Sequence, residues 1–511
     1  MHRMCFVLVV AALAAWPAAA RAQVDPSVGQ PLTLEEAEAR ALDLNPQVTE
    51  ARLAIEAADF TVVQREAGFG SSVTTQFNQR GQTTPNTSQL DGGQSASVTN
   101  DSSTFNTAFT KPLAWGGGQL ALGFNNGRTA TSNLFANFNP NYSSTASATL
   151  TQPLLRGFGI DQTRQQIEQA HLDLSIADIG LVQQLAQLTA NVRRAYWELV
   201  YTVDALDLAR QSLALAERQR DDNQLRLELG TVTQIDVLTS EAEVATRRQA
   251  VVQAEGTWRA AQVGLKQLIV ADTSDPLWGT TVVPSSRPAY EAAPVLDVEG
   301  AIARAVGSRT DVEQLRRQGD GLDLTLRLLE DQRRPAVNLN AGLTYNGVGG
   351  PQLVRASDGL GSTTTGSIPG GYFDALSALG SFDYPTWTLG LSVTVPVSNA
   401  AADAAAARGR VQRRQVDARL ATVELQAAAA VTRLADQVTN ADQQVQAAAT
   451  ARALSEQRLD LENARLDVGL STTFLVLQAQ RDLATAQNAE LRALLDYRRA
   501  MVDFEQAQVA P

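Results

Sequence analysis

The chain has 511 residues, 44% hydrophobic and 19% charged, enough for about two to four domains with buried cores. Acidic residues outnumber basic ones, 54 to 42, and the only lysines are Lys111 and Lys266, which argues against a surface for nucleic acids or other polyanions. A Walker-type phosphate loop needs a Gly-Lys step, and neither lysine follows a glycine, so this chemistry is excluded as well.

Residues 1–22 resemble a secretory signal, with an early arginine, an apolar run and small residues through Ala22. Cleavage after Ala22 would remove Cys5 and His2 and leave His171 as the one histidine and no cysteine. Disulfides, cysteine metal sites, thiol nucleophiles and a lipid-modified N-terminus are therefore not expected. We predict no catalytic, cofactor or metal site, including at His171.

Short helices are predicted in 23–66, and a strand-rich segment follows at 67–157. This segment and its later counterpart, 334–397, contain only 11 charged residues but 15 of the 28 aromatic residues. Runs such as 145–150 alternate with the strand period of two. Charge-poor strands with aromatic residues are typical of an outer-membrane β-barrel, although a soluble β-domain would show the same period.

Two stretches lack proline, 154–275 and 397–510, and both are rich in Ala, Leu, Gln, Arg and Glu. These residues favour helix, so we predict a long helical hairpin in each. Past the signal, no apolar run reaches the roughly 18–20 residues of a membrane-spanning helix.

Apolar residues recur every seven positions in both stretches, a pattern that predicts coiled-coil packing. The predicted seams are Ile167, Leu174, Leu181, Leu188, Ala195; Leu185, Val192, Leu199, Leu206, Leu213; Val431, Val438, Val445; and Leu454, Leu461, Val468.

A glycine interrupts each helical stretch, and a threonine follows it three residues later: Gly230 with Thr233, and Gly469 with Thr472. Glycine suits a left-handed helix C-terminus and threonine suits the N-cap of the next helix, which predicts two antiparallel hairpins. We interpret both turns as polar connections with no role in a hydrophobic core.

The chain also contains an internal repeat. An offset of 239 aligns Gly230 with Gly469, and an offset of 264 aligns Leu34-Glu35 with Val298-Glu299. The first half therefore carries about 25 extra residues between its opening helix and its turn. An additional hairpin, Thr104–Pro112 with Gln119–Asn126, would account for them, so either four or six strands per chain are possible.

These features divide the chain into seven segments. They are the signal (1–22), the first opening helices (23–66), the first strands and loops (67–157), the first long hairpin (158–275), a linker with the second opening helices (276–333), the second strands and loops (334–397) and the second long hairpin (398–511).

Four motifs make the chain resemble the TolC-type outer-membrane efflux protein family over nearly its whole length. They are the opening Leu32–Ala37 with Asn45-Pro46, the strand exit Thr151–Gly157, and two copies of an Arg-x-x-x-Gly-x-x-Thr turn element, Arg226–Leu238 and Arg465–Gln480. The resemblance implies an α+β membrane channel, a duplicated unit of coiled-coil helical hairpins plus β-strands. Three chains would form a homotrimeric outer-membrane β-barrel with a periplasmic α-helical tunnel.

The resemblance also implies partners and site residues. The channel would be the passive exit duct of a tripartite efflux or type I secretion system. It would be embedded in outer-membrane lipid and docked to a periplasmic adaptor protein and to an inner-membrane efflux pump or ABC transporter. The adaptor would meet the tunnel tip at Leu229, Gly230, Thr231, Thr233, Val468, Gly469, Leu470, Thr472 and Thr473.

Asp236 matches a carboxylate that faces the closed tunnel entrance in the family, but it could also be an ordinary acidic residue at a helix start. Leu475, Gln478 and Ser471 occupy positions where some members carry acidic ring residues or a locking arginine. A second acidic ring and an arginine lock are therefore in doubt for this chain.

Two other classes of protein remain open. An exported, non-channel coiled-coil protein would explain the helices but not the charge-poor strands. An enzyme is disfavoured because no motif gathers the carboxylates. The exported substrate and the pump family are not determined by the sequence.

Overall fold

The structure is a computed structural model that describes residues 29–86, 97–287, 290, 296–356 and 364–511. The predicted signal, 1–22, lies outside the described residues. The helices are α1 (Leu34–Leu44), α2 (Pro46–Glu66), α3 (Gln162–Glu228), α4 (Gln234–Ile269), α5 (Pro276–Gly279), α6 (Val298–Ser308), α7 (Thr310–Asp331), α8 (Tyr372–Gly380), α9 (Ala400–Asp467) and α10 (Thr473–Gln506). The strands are β1 (Gln30–Leu32), β2 (Ser72–Pro85), β3 (Ser97–Pro112), β4 (Gln119–Thr131), β5 (Asn141–Pro153), β6 (Val282–Pro284), β7 (Ala336–Gly349), β8 (Gln352–Arg355), β9 (Thr364–Ile368) and β10 (Pro385–Thr394).

The order of elements confirms the predicted duplication, because two helices, a set of strands and a long helical hairpin occur twice. The opening helices α1 and α6 begin in the same way, with a side chain that satisfies free backbone N–H groups. The Thr33 hydroxyl accepts from the N–H of Glu36 at 3.1 Å, and the Asp297 carboxylate accepts from the N–H of Gly300 at 2.9 Å.

The described chain forms two compact units. The first comprises the described residues up to Pro46 with Gln187–Leu296 and Arg433–Gln506, and the second comprises Gln47–Ala186, Asp297–Thr432 and Ala507–Pro511. The two glycine turns belong to the first unit, and the large sheet belongs to the second.

The first unit is organised around Tyr196 of α3, which is fully buried. Its hydroxyl donates to the carbonyl of Leu32 at 3.0 Å and accepts from the N–H of Ser286 at 2.9 Å. These bonds connect α3 to the ends of β1 and β6, which pair in parallel. Gln262 on α4 bonds both backbone groups of Val282, so the same strand pair is also held to α4.

The second unit contains a six-stranded antiparallel sheet with the order β10-β7-β5-β4-β3-β2. The first repeat supplies four strands and the second supplies two. The additional hairpin is present as β3 and β4, which makes six strands rather than four. It turns at Gly116 and Gly117, both with positive φ, so Trp115–Gly118 is a tight strand connection.

The strand register gives this sheet two chemically different faces, because neighbouring residues point to opposite sides. On one side, here called the apolar face, lie Val73, Phe77, Phe105, Phe109, Leu120, Leu122, Phe124, Leu150, Leu339, Leu343, Trp387, Leu389, Leu391 and Val393. On the other, here called the polar face, lie Thr74, Gln76, Asn106, Asn125, Thr145, Ser147, Thr149, Asn338, Asn340, Thr344, Thr388 and Ser392.

The predicted heptad seams differ in burial. Val192, Leu199 and Leu206 are fully buried, and Val431, Val438 and Val445 are at most 3% exposed, as expected for packed seams. Leu454, Leu461 and Val468 are 60–69% exposed, so the described helices of the same chain do not cover this seam. On α9, the side that packs against α10 carries Leu459 instead, which contacts Val476 and Ala479.

Several elements were not foreseen from the sequence. Helix α8 interrupts the second strand segment, and β8 and β9 form a separate small hairpin before it. Among the described residues, no helix combines the length and apolar character needed to cross a membrane.

Candidate functional site

The turn between α3 and α4 is closed by the backbone around Gly230. The N–H of Gly230 donates to the carbonyl of Leu227 at 2.9 Å, and the N–H of Thr231 donates to the carbonyl of Arg226 at 2.9 Å. This bonding requires a left-handed residue, and Gly230 has φ +71°. No heavy atom lies within 4 Å of the position of a Cβ there, so the backbone angle selects glycine rather than lack of space.

The turn between α9 and α10 repeats this arrangement. Gly469 has φ +76°, its N–H donates to the carbonyl of Leu466 at 3.1 Å, and the N–H of Leu470 donates to the carbonyl of Arg465 at 2.8 Å. Space around a Cβ is again open. The two turns are therefore the same structure built twice.

The expectation that these turns are polar is wrong. Leu229 and Leu470 are 71% and 72% exposed, and Val468, Ile235 and Phe474 beside them are also exposed. In a single chain such side chains have no core to enter, because the helices that flank each turn already pack through their other sides. Each turn therefore presents an apolar tip to its surroundings, a common property of binding surfaces.

Asp236 is the third residue of α4 and completes its N-terminal cap. Its Oδ2 accepts from the backbone N–H of Thr233 at 2.9 Å and from the Thr233 hydroxyl at 2.6 Å. The Thr233 hydroxyl and then the Thr233 N–H lower the pKa of Asp236. In the single chain the carboxylate is therefore ionised at neutral pH.

The second turn lacks this carboxylate, since Leu475 takes the equivalent place at the start of α10. The Thr472 hydroxyl accepts from the N–H of Leu475 at 3.4 Å, so Thr472 still caps the helix. Ser471 donates to Glu462 of α9 at 2.5 Å. Thr473 is only 7% exposed, so its side chain packs inside the hairpin and is corrected from a docking residue to a packing residue.

Behind the turns, an ion cluster that the sequence did not reveal connects the two hairpins. Glu243 on α4 has a side chain only 6% exposed. Its Oε2 accepts from Nε and Nη2 of Arg481 on α10 at 2.9 and 2.6 Å, and its Oε1 accepts from Nε of Arg247 at 2.8 Å. Burial alone would raise the pKa of Glu243, but Arg481 and Arg247 outweigh it and lower the pKa.

The spacing of Glu243 and Arg247 by four residues was visible in the sequence as a helix-surface pair. The contact to Arg481, 238 positions away, depends on how α4 packs against α10. A second buried bond, from the amide of Asn223 to the Ser240 hydroxyl at 2.6 Å, joins α3 to α4.

Other charged residues of the long helices have structural partners. Arg193 pairs with Glu38 and Glu505, both at 2.7 Å, and Arg194 pairs with Asp503 at 2.7 Å, so this arginine pair forms interhelical ion pairs. His171 is half-exposed and lies 3.8 Å from the Glu66 carboxylate. In the described part of the chain, no three metal-binding side chains lie close enough together to hold an ion.

Duplicated long hairpins and a two-faced antiparallel sheet are the architecture of a channel protein of mixed α and β structure. The model of the outer membrane efflux protein family matches residues 119–270 and 303–507, well over half of the chain. The chain belongs to this family. It is an outer-membrane exit duct for efflux, a passive conduit and not an enzyme.

Solved structures share the fold at low sequence identity. A membrane protein from Pseudomonas aeruginosa is 15% identical with a TM-score of 0.66, covering 93% of this chain and 90% of that one. The outer membrane protein VceC of Vibrio cholerae is 15% identical with a TM-score of 0.62, covering 93% and 95%. The outer membrane channel CmeC of Campylobacter jejuni is 12% identical with a TM-score of 0.64, covering 93% and 85%. No curated protein matches the sequence.

Proposed function

We propose that three copies of the chain assemble into one conduit, with the apolar face of the sheet against outer-membrane lipid and the polar face lining the passage. The two-faced sheet is the observation that carries this proposal. A soluble sheet buries its apolar face against other elements, whereas Phe77, Trp387 and Leu389 are 67–75% exposed. A non-channel coiled-coil protein has no use for such a sheet.

The sheet edges support assembly. Within the described residues, β2 pairs only with β3, and β10 pairs only with β7. Unpaired backbone groups at an edge are costly in lipid, so each edge needs a partner strand. Pairing β2 of one copy with β10 of the next closes the sheet, and three copies of six strands provide eighteen.

The exposed seam on α9 supports the same assembly. Leu454, Leu461 and Val468 keep heptad spacing, yet no helix in the described part of the same chain covers them. A heptad seam buries its residues against a neighbouring helix. In the proposed trimer, a helix of an adjacent copy covers Leu454 and Leu461, while Val468, at the end of the seam, stays exposed at the tip. The helices together form a periplasmic tunnel.

The two apolar tips are the proposed docking surface for a periplasmic adaptor protein, which would connect the duct to an inner-membrane efflux pump or ABC transporter. Leu229, Val468 and Leu470 are exposed apolar contacts, and Thr231, Thr233 and Thr472 are exposed polar ones. Gly230 and Gly469 hold the turns in shape and leave room for a partner helix to approach.

Asp236 lies six residues after Gly230, and we assign it to the tunnel entrance. Repeated by three-fold symmetry, it would form one ring of ionised carboxylates. Its bond to Thr233 uses Oδ2, so the cap and the ring are compatible roles for one side chain. Because Leu475 replaces the carboxylate in the second turn, we propose a single ring.

Two neighbouring residues on β10 provide the test. Leu389 lies on the apolar face and Thr388 on the polar face. An arginine facing lipid at mid-membrane costs about 2–4 kcal/mol, whereas one facing a water-filled passage costs little. Leu389→Arg should therefore reduce the trimer recovered from outer membranes, and Thr388→Arg should leave the trimer intact but lower cation conductance. Equal tolerance of both variants, or a conducting monomer, would contradict the proposal.

A further inference from the structure

Helix α8 lies directly on strand β7 at the end of the sheet remote from the long helices. A Cβ on Gly347 would be 2.0 Å from the carbonyl oxygen of Ala375, and one on Gly349 would be 2.4 Å from the nitrogen of Ala375. The two glycines thus form a flat seat on which the helix backbone rests. Ala375 and Leu379 are buried toward this seat.

The seat belongs to the apolar face of the sheet. Gly347 and Gly349 alternate in phase with Leu343 and Tyr345, so all four point to the same side of β7. Helix α8 therefore lies on the side that we assign to lipid, not in the passage.

The strands themselves become polar where α8 covers them. On the apolar face, Asn126 and Ser144 stand next to Gly347 across the sheet, and Asn126 Oδ1 accepts from both Ser144 and the hydroxyl of Tyr372 on α8, at 2.8 and 2.9 Å. The helix covers a polar patch that would otherwise face outward, and Tyr372 supplies a hydrogen bond to one of its side chains, Asn126.

The apolar stretch of β7 is short for a membrane. From Val337 to Tyr345 it extends about 26 Å at about 3.3 Å per residue. Outer-membrane strands tilt by about 35–45°, which reduces this to about 20 Å of height, below the usual apolar band of about 25 Å. An apolar outer surface is therefore needed just above Tyr345, where α8 lies.

The outward side of this segment is aromatic. Phe373 is 80% exposed, Phe382 and Tyr384 are more than 60% exposed, and Leu376 is also exposed. Phe382 has φ +57°, a left-handed conformation that residues other than glycine rarely adopt. Its ring packs edge-on against Tyr345 with centroids 4.8 Å apart, so the conformation holds an aromatic ring on the apolar face.

We propose that α8, with Phe382 and Tyr384, is an interfacial anchor that inserts its aromatic side chains at the boundary between acyl chains and headgroups in the outer leaflet. Aromatic residues favour this boundary because one part of the side chain is apolar and the rest tolerates water. The occupant is lipid because the surface continues the apolar face without a break. The inference rests on the proposed orientation of that face.

Spin labelling can measure whether Phe373 contacts lipid or water, because Cys5 is the only cysteine of the chain. In a Cys5→Ser background, single cysteines are placed at Phe373, Leu389 and Thr388, labelled with a nitroxide and reconstituted as full-length protein in phosphatidylethanolamine–phosphatidylglycerol vesicles. Relaxation by oxygen reports acyl chains, and relaxation by a water-soluble nickel chelate reports water. We expect the ratio of oxygen to nickel accessibility at Phe373 to exceed that at Thr388 several-fold and to be lower than that at Leu389.

The outcomes separate the two proposals. A nickel-accessible label at Phe373 with a lipid-exposed label at Leu389 overturns the anchor but not the orientation of the sheet. A water-exposed label at Leu389 overturns the orientation itself. Shielding of Phe373 from both reagents indicates a protein neighbour, such as a second copy, and also overturns the anchor.

A displacement variant checks that α8 holds the label in place. Gly347→Val removes the seat, because its Cβ would meet the Ala375 carbonyl, and should raise the nickel accessibility of the Phe373 label several-fold without changing the Leu389 label. Gly366→Val on β9 is the matched control, since no atom of the described residues lies within 4 Å of its Cβ position. Equal effects of the two substitutions on the Phe373 label would show that contact with Gly347 does not hold α8 in place.

Discussion

The ion cluster behind the turns makes a quantitative prediction for Glu243→Gln. The substitution leaves Arg481 and Arg247 without their shared carboxylate. Breaking a buried ion pair costs about 3–5 kcal/mol. The Arg481 and Arg247 side chains are 44% and 20% exposed and can regain water. We therefore expect a smaller loss, about 1–3 kcal/mol, in the free energy of locally opening α4 from α10.

Amide hydrogen exchange of the detergent-solubilised protein measures this opening. Each 1.4 kcal/mol is a factor of ten, so exchange around residues 243 and 481 should become roughly 5- to 150-fold faster. Glu217→Gln is the matched control, because Glu217 also pairs with an arginine of α4, Arg248, at 3.2 Å but with both side chains more than a third exposed. Its effect should be below about 1 kcal/mol. Equal exchange in the two variants would refute the reasoning.

The same cluster predicts a pH dependence. The pKa of Glu243 is lowered in the folded chain from its ordinary value of 4.5, so folding favours the ionised form. The contribution to stability is therefore complete above about pH 4.5 and is lost as the pH falls through the lower folded value. Acidification below pH 4.5 should speed exchange at residues 243 and 481 in the native protein, and this part of the acid response should be absent from Glu243→Gln.

Three further predictions concern the turns and the core of the first unit. Asp236→Asn keeps a hydrogen-bond acceptor for the helix cap but removes the proposed carboxylate ring, in which each close pair of charges repels by about 1–4 kcal/mol. Single-channel recordings should therefore show weaker cation selectivity and less block by multivalent cations. Unchanged recordings would leave Asp236 as a helix cap alone. Gly469→Trp should abolish export in cells with the trimer intact, whereas Gly469→Asn, which tolerates a left-handed backbone, should retain most of it; full export by the tryptophan variant would exclude docking at this turn. Tyr196→Phe removes a buried hydroxyl that bonds Leu32 and Ser286, and it should lower the free energy of unfolding of this region by about 1–3 kcal/mol. The measurement is hydrogen exchange of the Ser286 amide, which should become faster. Unchanged exchange of this amide would show that water replaces the hydroxyl.

Much of the architecture follows from local sequence features. The proline-free stretches predict the long helices because proline removes a backbone donor and clashes with the preceding turn. Gly230 and Gly469 identify the two turns because few other residues adopt a left-handed backbone. The duplication and the charge-poor, alternating strands were likewise readable, since they depend on order and period along the chain. These properties are local, so each segment carries its own signal.

Only the tertiary structure decided which surfaces are covered. The Leu454–Leu461–Val468 seam is exposed and the Val431–Val438–Val445 seam is buried, although both repeat every seven residues. The period alone therefore does not determine which seam is covered. Three features found only in the structure depend on contacts between different elements. They are the burial of Thr473, the contact from Glu243 to Arg481, and the packing of α8 on Gly347. A sequence pattern specifies that a side chain needs a partner, but the partner is specified by the docking of elements far apart in the chain, which no local period encodes.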